Sequence, residues 1–449
     1  MITLLWIATL GSLALYALAL ATGFLRIERD PFFLAVAAQA FVYLHLAPSL
    51  AATQLPAETQ SIYTTVEWLA LLMLELPSVA VYGLLLRARS GPQRPSAGWS
   101  LSPTRSLLFA LGACALAVGY LYVSLANGLL YRRIGLEIAA MQMNLGLVAF
   151  SVYRYFIELG PFLVGTAIVA RRLAPAGNGP SDAVLRFALG IVTATYLLYA
   201  LVNSRLAGVL LVVLVFGLFL TTRREGGVSF TSLAVGLTLA TFASLYAIRV
   251  VSTVRDAFAA GRPVLDPAYL WPFQSIGQND DSVIWRLNGI DLIAQVAPSI
   301  AHEGPALGAA WLPPLLVSLD PLLRTDATTS LKLAGLTTAK TFLMARYAGS
   351  VVTDTYSCML SDAYGNFGNA SFLAVGLTLA LLMGLATRAL HLSRSPARIL
   401  VAVFVVSRVL PFEQEFASLL FGWWKLVPVV VLVLCVGPLV SRPALPAPA

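Results

Sequence analysis

Runs of roughly 18 or more mostly apolar residues recur along this chain, and the short loops between them carry many of its arginines. In lipid such a run must satisfy every backbone N–H and C=O internally, which leaves only helices or a closed barrel. Barrel strands would show shorter, alternating stretches, so the chain reads as all-α, a polytopic membrane helix bundle. The composition agrees, because 59% hydrophobic and 11% charged residues lie far outside the range of a soluble globular domain. The predicted spans are 3–25, 31–50, 62–86, 106–126, 147–170, 184–202, 206–221, 229–248, 370–387, 398–412 and 418–440, about eleven in all. Arg26 and Arg29; Arg87, Arg89, Arg94 and Arg105; Arg171 and Arg172; Arg223 and Arg224; and Arg388, Arg394 and Arg398 all follow odd-numbered spans. The alternate short loops are poor in positive charge, apart from 127–144 with Arg132 and Arg133. The positive-inside rule then puts the arginine-bearing loops in the cytoplasm, the N-terminus outside and the C-terminus inside.

About the only long interval without a membrane-length run is 249–369, which this orientation places on the outer face, before the ninth span. It divides the chain into an N-terminal membrane bundle of about eight helices (1–248), an outer loop (249–369), and about three C-terminal helices with a short tail (370–449). The loop concentrates Arg249, Arg255, Arg262, Arg286, Arg324, Arg346, Lys332, Lys340 and His302 in a chain otherwise poor in charge. The overall charge of +8 is less telling, since every multispanning protein carries Lys and Arg for topology. Within the loop, 290–300 and 305–319 are apolar but too short and Pro-rich to span, so they are expected as interfacial or re-entrant helices. A loop lying on the membrane surface suits a substrate with one end in lipid and the other in water.

Several function classes are excluded by what the motifs lack. The cytoplasmic loops are too short for a nucleotide-binding fold, and neither GxxxxGK[ST] nor GxGxxG after a strand is present. Nucleic acid is not an expected partner. Cys114, Cys358 and Cys435 have no CxxC spacing, which argues against a disulfide framework or a zinc site. The N-terminus lacks a positive n-region and reads as a retained helix, not a signal peptide. No fixed-period repeat of the inverted-repeat transporter kind is evident.

The ionisable residues that remain form small constellations, each with a structural and a functional reading. Arg154 and Glu158 lie four apart on a predicted helix, as a structural ion pair or as a pair facing a substrate path. Arg205, in a tight outer turn (LVNSRLAG), and Arg408, in a short helix ended by Pro411, are candidate anion ligands; Arg408 could equally pair with Glu413 or Glu415. Arg286 and Asp291 belong to WRLNGIDLIAQV, with Arg286 as a candidate anion ligand. A metal site from Asp280, Asp281 and Asp291 is conceivable, but the spacing matches no known loop, and no metal is assigned. His302 is the one histidine in the outer loop and a candidate general base. Asp354, Asp362, Tyr364 and Asn366 mix carboxylate, ring and amide in the manner of a sugar site, or make an ordinary turn and cap. Glu67 and Glu75 are eight apart in a predicted span, roughly on one face, and either support a proton path or pair with an arginine such as Arg154.

This arrangement resembles the bacterial O-antigen, or oligosaccharide repeat-unit, polymerases, and more distantly the O-antigen ligases. The resemblance rests on the span count, the long outer loop in the second half, NSRLAG, RLNGID, LPPLLVSLDPLL and YGNFG entering the next helix. The chain departs from it where NSRLAG lacks a Gly-Ser-Arg-Gly form and where Asn369-Ala370 replaces a glycine. The resemblance implies a glycosyltransferase of the bacterial cytoplasmic (inner) membrane with a periplasmic active face. It would join repeat units carried on polyprenyl diphosphate, without metal or other cofactor, alongside a chain-length regulator and a flippase. Arg205, Arg286 and Arg408 would hold the diphosphate, with Arg154 as an alternate, and Lys340 and Arg346 would steer it. Tyr364 and Asn366 would bind sugar, and His302, Asp362 or Glu158 would be the base. A ligase and a lipid-linked saccharide flippase are the alternatives.

Overall fold

The computed structural model describes residues 2–87, 99–127, 147–174, 179–203, 205–222, 287–319, 330–331, 334–349, 358–393, 395–412, 414–422 and 426–441. The predicted span 229–248 and the first part of the outer loop lie outside them. Seven helices among the described residues are long and apolar enough to cross a membrane, the architecture of a multi-pass membrane protein. The long helices of the first part are α1 (Ile2–Ala21), α2 (Pro31–Ala52), α3 (Ala57–Arg87), α4 (Pro103–Ala126), α5 (Leu147–Leu173) and α6 (Pro180–Asn203), followed by the shorter α7 (Arg205–Thr221). Among the described residues between 287 and 367 lie the short helices α8 (Asp291–Glu303), α9 (Leu312–Leu319), α10 (Ala339–Tyr347) and α11 (Met359–Phe367). The spanning α12 (Ala370–Leu392) comes next, then α13 (Pro396–Val409), α14 (Phe416–Phe421) and α15 (Val427–Val436). The apolar stretches 290–300 and 305–319 are thus short helices, as their length required.

The residues form two compact units that are discontinuous in sequence. The first comprises Met1–Gly91, Asn279–Arg388 and Arg408–Pro428, and the second Pro92–Gln278, Ala389–Ser407 and Val429–Ala449. These units combine distant stretches that a division at 248 and 369 keeps apart.

In the first unit, the α1–α2 turn is held by one carboxylate. Asp30 is fully buried; its Oδ2 accepts the Arg26 N–H at 2.8 Å, and both oxygens accept from the Arg29 guanidinium at 2.8 Å. Tyr82 of α3 donates to Asp30 Oδ1 at 3.0 Å and also bonds Thr387 of α12 at 3.2 Å. Pro31 follows at the first helical position, where its missing N–H costs nothing. Further along the same seam, a Cβ on Gly376 of α12 would come within 2.6 Å of the Leu74 carbonyl of α3, so only glycine allows that approach.

Two of these helices are not α throughout. Val42–Leu46 in α2 and Ala70–Glu75 in α3 are π-helical, each widening one turn. The second has a geometric effect. Residues eight apart on an ideal helix differ by about 80° in direction at roughly 100° per residue, whereas a turn holding one extra residue nearly cancels that offset. Glu67 and Glu75 are brought onto one face in this way.

The second unit packs α4 against α5 and α6 through aromatic side chains. The Tyr120 ring lies 4.6 Å from Phe156 and 5.0 Å from Tyr153, and Gly160 admits the Tyr196 ring. Arg171 bonds Asp182 at 2.7 Å, tying the end of α5 to the start of α6. Two short strands, β1 (Trp99–Leu101) and β2 (Leu439–Ser441), pair antiparallel with Trp99 opposite Ser441.

Removing the Asp30 carboxylate breaks the turn and its link to α3 together. Asp30→Ala is expected to destabilise the detergent-solubilised protein by roughly 3 kcal/mol, because Arg29 keeps some access to water but the α3 link is lost. Tyr82→Phe, which removes one hydroxyl, should cost about 1 kcal/mol. Thermal unfolding of the two variants checks the order, and equal effects would mean the turn does not depend on Asp30.

Candidate functional site

The short helix α11 gathers the motif-bearing segments of the first unit. Cys358, at its start, and Ser361 face the RLNGID stretch, and the Ser361 hydroxyl donates to the Gly289 carbonyl at 2.9 Å. Asp362 is fully buried; its Oδ1 accepts from the Phe416 N–H at 2.8 Å, and its Oδ2 from the Ala417 N–H at 2.9 Å and the Trp311 indole at 3.0 Å. Asn366 is also buried, accepting the Ala310 N–H at 3.1 Å and donating to the Asp362 carbonyl at 2.9 Å. The backbone adds Ala306 N–H to the Gly365 carbonyl and Leu307 N–H to the Asn366 carbonyl, both 2.9 Å. Those bonds hold Leu307 at a φ of 49°, an uncommon conformation for a residue with a side chain. YGNFG forms the end of this helix, and RLNGID, the 306–311 segment that leads into LPPLLVSL, and PFEQEF meet around it.

Beside this hub lies an apolar recess of about 580 Å³, lined by Leu312, Pro313 and Leu316 of the LPPLLVSL stretch together with Leu331, Ala334 and Phe342. Glu415 stands at the start of α10, where its carboxylate accepts the Ala339 and Lys340 N–H groups at 3.2 and 3.0 Å. The Lys340 side chain interacts electrostatically with the same carboxylate. Burial and the nearby Glu415 push the Asp362 carboxyl up to about 8, against three N–H donors that favour its ionised form. Burial likewise raises Glu415 and Asp291.

No family model, curated protein or solved structure matches this chain. The assignment of the site rests on its own geometry.

The predicted site residues divide between the units. Asp362 and Asn366 belong to the α11 hub but are spent on structural bonds, with no exposed surface to offer a sugar or an acceptor hydroxyl. Tyr364 is half-buried with its ring 6.2 Å from Phe372. Lys340 is half-buried near Glu415, and Arg408 is half-buried with Nη2 facing Gly422, where a Cβ would meet it at 3.3 Å. Arg346 is exposed and lies over the Tyr347 ring at 5.1 Å, and His302 is exposed at the end of α8. Arg154 and Glu158 belong to the second unit and pair at 2.8 Å, the bond their spacing predicted. Arg205 opens α7, of whose first side chains nothing is described. Arg286, Asp280, Asp281, Asp354 and Glu413 lie outside the described residues. Among the described residues no group of three His, Cys, Asp or Glu side chains has the arrangement of a metal site.

Glu67 and Glu75 find a partner that was not anticipated. It is His45 of α2: Nδ1 lies 3.7 Å from Glu67 Oε2 and Nε2 lies 3.3 Å from Glu75 Oε1, with all three side chains fully buried. Hydroxyls of Thr9, Ser12 and Ser49 complete the cluster. A histidine inside an apolar run was the available signal, since an intramembrane ionisable group needs a partner.

The Asp362 environment makes stability depend on pH with a definite sign. Its carboxyl titrates near 4 in the unfolded chain but is held up to about 8 when folded, so the folded state retains a proton the unfolded state loses. Thermal stability should therefore fall as the pH rises from about 4 to about 8 and level off above. Glu415→Gln removes the neighbouring charge, so the decline should end at a lower pH; a profile unchanged from that of the native protein would show that the two carboxyls do not interact.

Proposed function

We propose that this chain is a membrane glycosyltransferase that joins oligosaccharide repeat units carried on polyprenyl diphosphate. In this reading it acts without metal or nucleotide, on the outer, periplasmic face of the bacterial inner membrane. It has about eleven spans, and 249–369 is the outer loop. What carries the reading is the meeting of RLNGID and PFEQEF around the YGNFG helix α11, beside an apolar recess of about 580 Å³ that the LPPLLVSL stretch lines.

That combination suits an amphipathic donor. The recess, lined by the LPPLLVSL stretch and Phe342, takes the isoprenoid part nearest the headgroup. Lys340, Arg408 and Arg346 of the same unit, with Arg286 as a further ligand, stabilise the negative charge that develops on the departing diphosphate. Since that diphosphate is itself a good leaving group, the donor supplies the driving force. The buried Asp362 and Asn366 then act as positioning residues, holding Trp311 and the segment that lines the recess. His302, exposed at the end of α8, is the remaining base candidate in this unit. A ligase would use the same donor chemistry with a different acceptor lipid.

One observation favours a second reading, transport of a lipid-linked saccharide. The buried His45–Glu67–Glu75 cluster places ionisable groups inside the spanning helices, where a transporter would use them.

The discriminating experiment uses the purified chain in liposomes with a lipid-diphosphate-linked oligosaccharide, added chelator and no nucleotide. A ladder of longer glycans is expected, with Arg408→Ala lowering the rate roughly 10²-fold or more, the usual cost of losing a charge-stabilising donor. Leu316→Asp, which puts a charge in the recess, should raise the KM for the lipid-linked donor. Saccharide crossing the bilayer unchanged in length would favour transport instead.

A further inference from the structure

The structure assigns a proton-binding site to the membrane interior: Glu75, bridged by His45 to Glu67, takes up and releases one proton, and the RLNGID stretch is attached to the two helices that carry the cluster. This inference does not rest on the glycosyltransferase reading.

Charge counting shows why a proton belongs there. Each ring nitrogen of His45 faces a carboxylate, at 3.7 Å on the Glu67 side and 3.3 Å on the Glu75 side, which is the setting of an imidazolium. With both glutamates ionised the cluster carries one net negative charge, fully buried and between spanning helices. An uncompensated charge in that medium is expensive, and no Lys or Arg is described in contact with it. One proton taken from water onto a carboxylate brings the cluster to neutrality. Release returns that proton to water and restores the single negative charge.

The hydrogen bonds distinguish the two carboxylates. Glu67 accepts from Ser49 at 3.1 Å and lies 3.3 Å from Thr9, so it is solvated as an anion by two hydroxyls. Glu75 is hydrogen-bonded to a single hydroxyl, that of Ser12 at 2.6 Å. A protonated Glu75 can donate to the Ser12 oxygen at the observed separation, and an ionised one can accept from it. The other titratable groups facing the cluster are Tyr16 of α1, which interacts with Glu75, and Tyr63 of α3, which interacts with Glu67 and with Asp291.

Both π-helical segments contribute to the site, since His45 lies in one and Glu75 ends the other. They also attach it to the outer segment. The Gly289 N–H donates to the carbonyl of Tyr43, two residues before His45, at 2.9 Å. The Asn288 amide donates to the Tyr63 hydroxyl, one turn before Glu67, at 2.7 Å. A Cβ on Gly289 would meet the Tyr43 carbonyl at 3.0 Å and the Cys358 sulfur at 3.1 Å, so the stretch is clamped between the π turn and α11. A change of charge at the cluster therefore acts on helices that hold the Asn288–Gly289 pair.

The test is infrared difference spectroscopy of the full chain in lipid as the pH is varied, read at the carbonyl stretch of a protonated carboxylic acid. A component that grows on acidification, shifts in D2O and is lost in Glu75→Gln is expected. Ser12→Ala, which removes only the Glu75 hydroxyl partner, should move that component to higher frequency, whereas Ser49→Ala should not. Loss of the component in Glu75→Gln alone could reflect misfolding, so the two serine variants carry the assignment to Glu75. The proposal is overturned if the native protein shows no such component at any pH at which its helices persist. It is also overturned if the component ignores pH and D2O, or survives in Glu75→Gln and so belongs to another acid such as Asp362.

Discussion

A carboxylate buried in an apolar chain must find its partners within that chain, and in the first unit this requirement decides which elements meet. Asp30 joins the α1–α2 turn to α3, and through Tyr82 to α12. Asp362 joins α11 to Trp311 and to the start of α14. Glu67 and Glu75 join α3 to α2 through His45 and to α1 through Thr9 and Ser12. Apolar contacts between lipid-embedded helices are weakly directional, because lipid tails are as apolar as leucine. The few polar side chains therefore specify the arrangement that the many apolar ones merely permit.

How far the sequence foretold this depends on the range of the interaction. Long apolar runs determine helix by length alone, so the helical class and the stretches of α1 to α6 and α12 were legible. The Arg154–Glu158 pair was equally plain, since four residues on one helix need no tertiary knowledge. The Glu67–Glu75 pair was half legible. Their spacing showed a shared face, but the π turn that perfects it leaves no periodic signature, and His45 comes from another helix. The pairing of Trp99–Leu101 with Leu439–Ser441 could not have been read, because three residues are too few for alternation to emerge and the partners are far apart in the chain.

The candidate site shows the same division. Asp362 and Asn366 stood out as polar residues beside aromatic ones, a composition shared by a sugar site and by a buried hydrogen-bonded junction. Composition cannot separate the two, because both require carboxylates and amides with rings nearby; burial does, and it gives Asp362 and Asn366 to the junction. Their importance to the proposed site is consequently indirect. They fix the apolar segment and the indole around which an amphipathic molecule would lie.

The approach of α12 to α3 at Gly376 has a mechanical consequence. With a backbone carbonyl so near that even a methyl group would strike it, and the Tyr82–Thr387 bond farther along the same pair, the two helices are joined at two points. Any side chain at position 376 would push α12 off α3 at the first point, and the lever of the helix would carry that displacement toward the second.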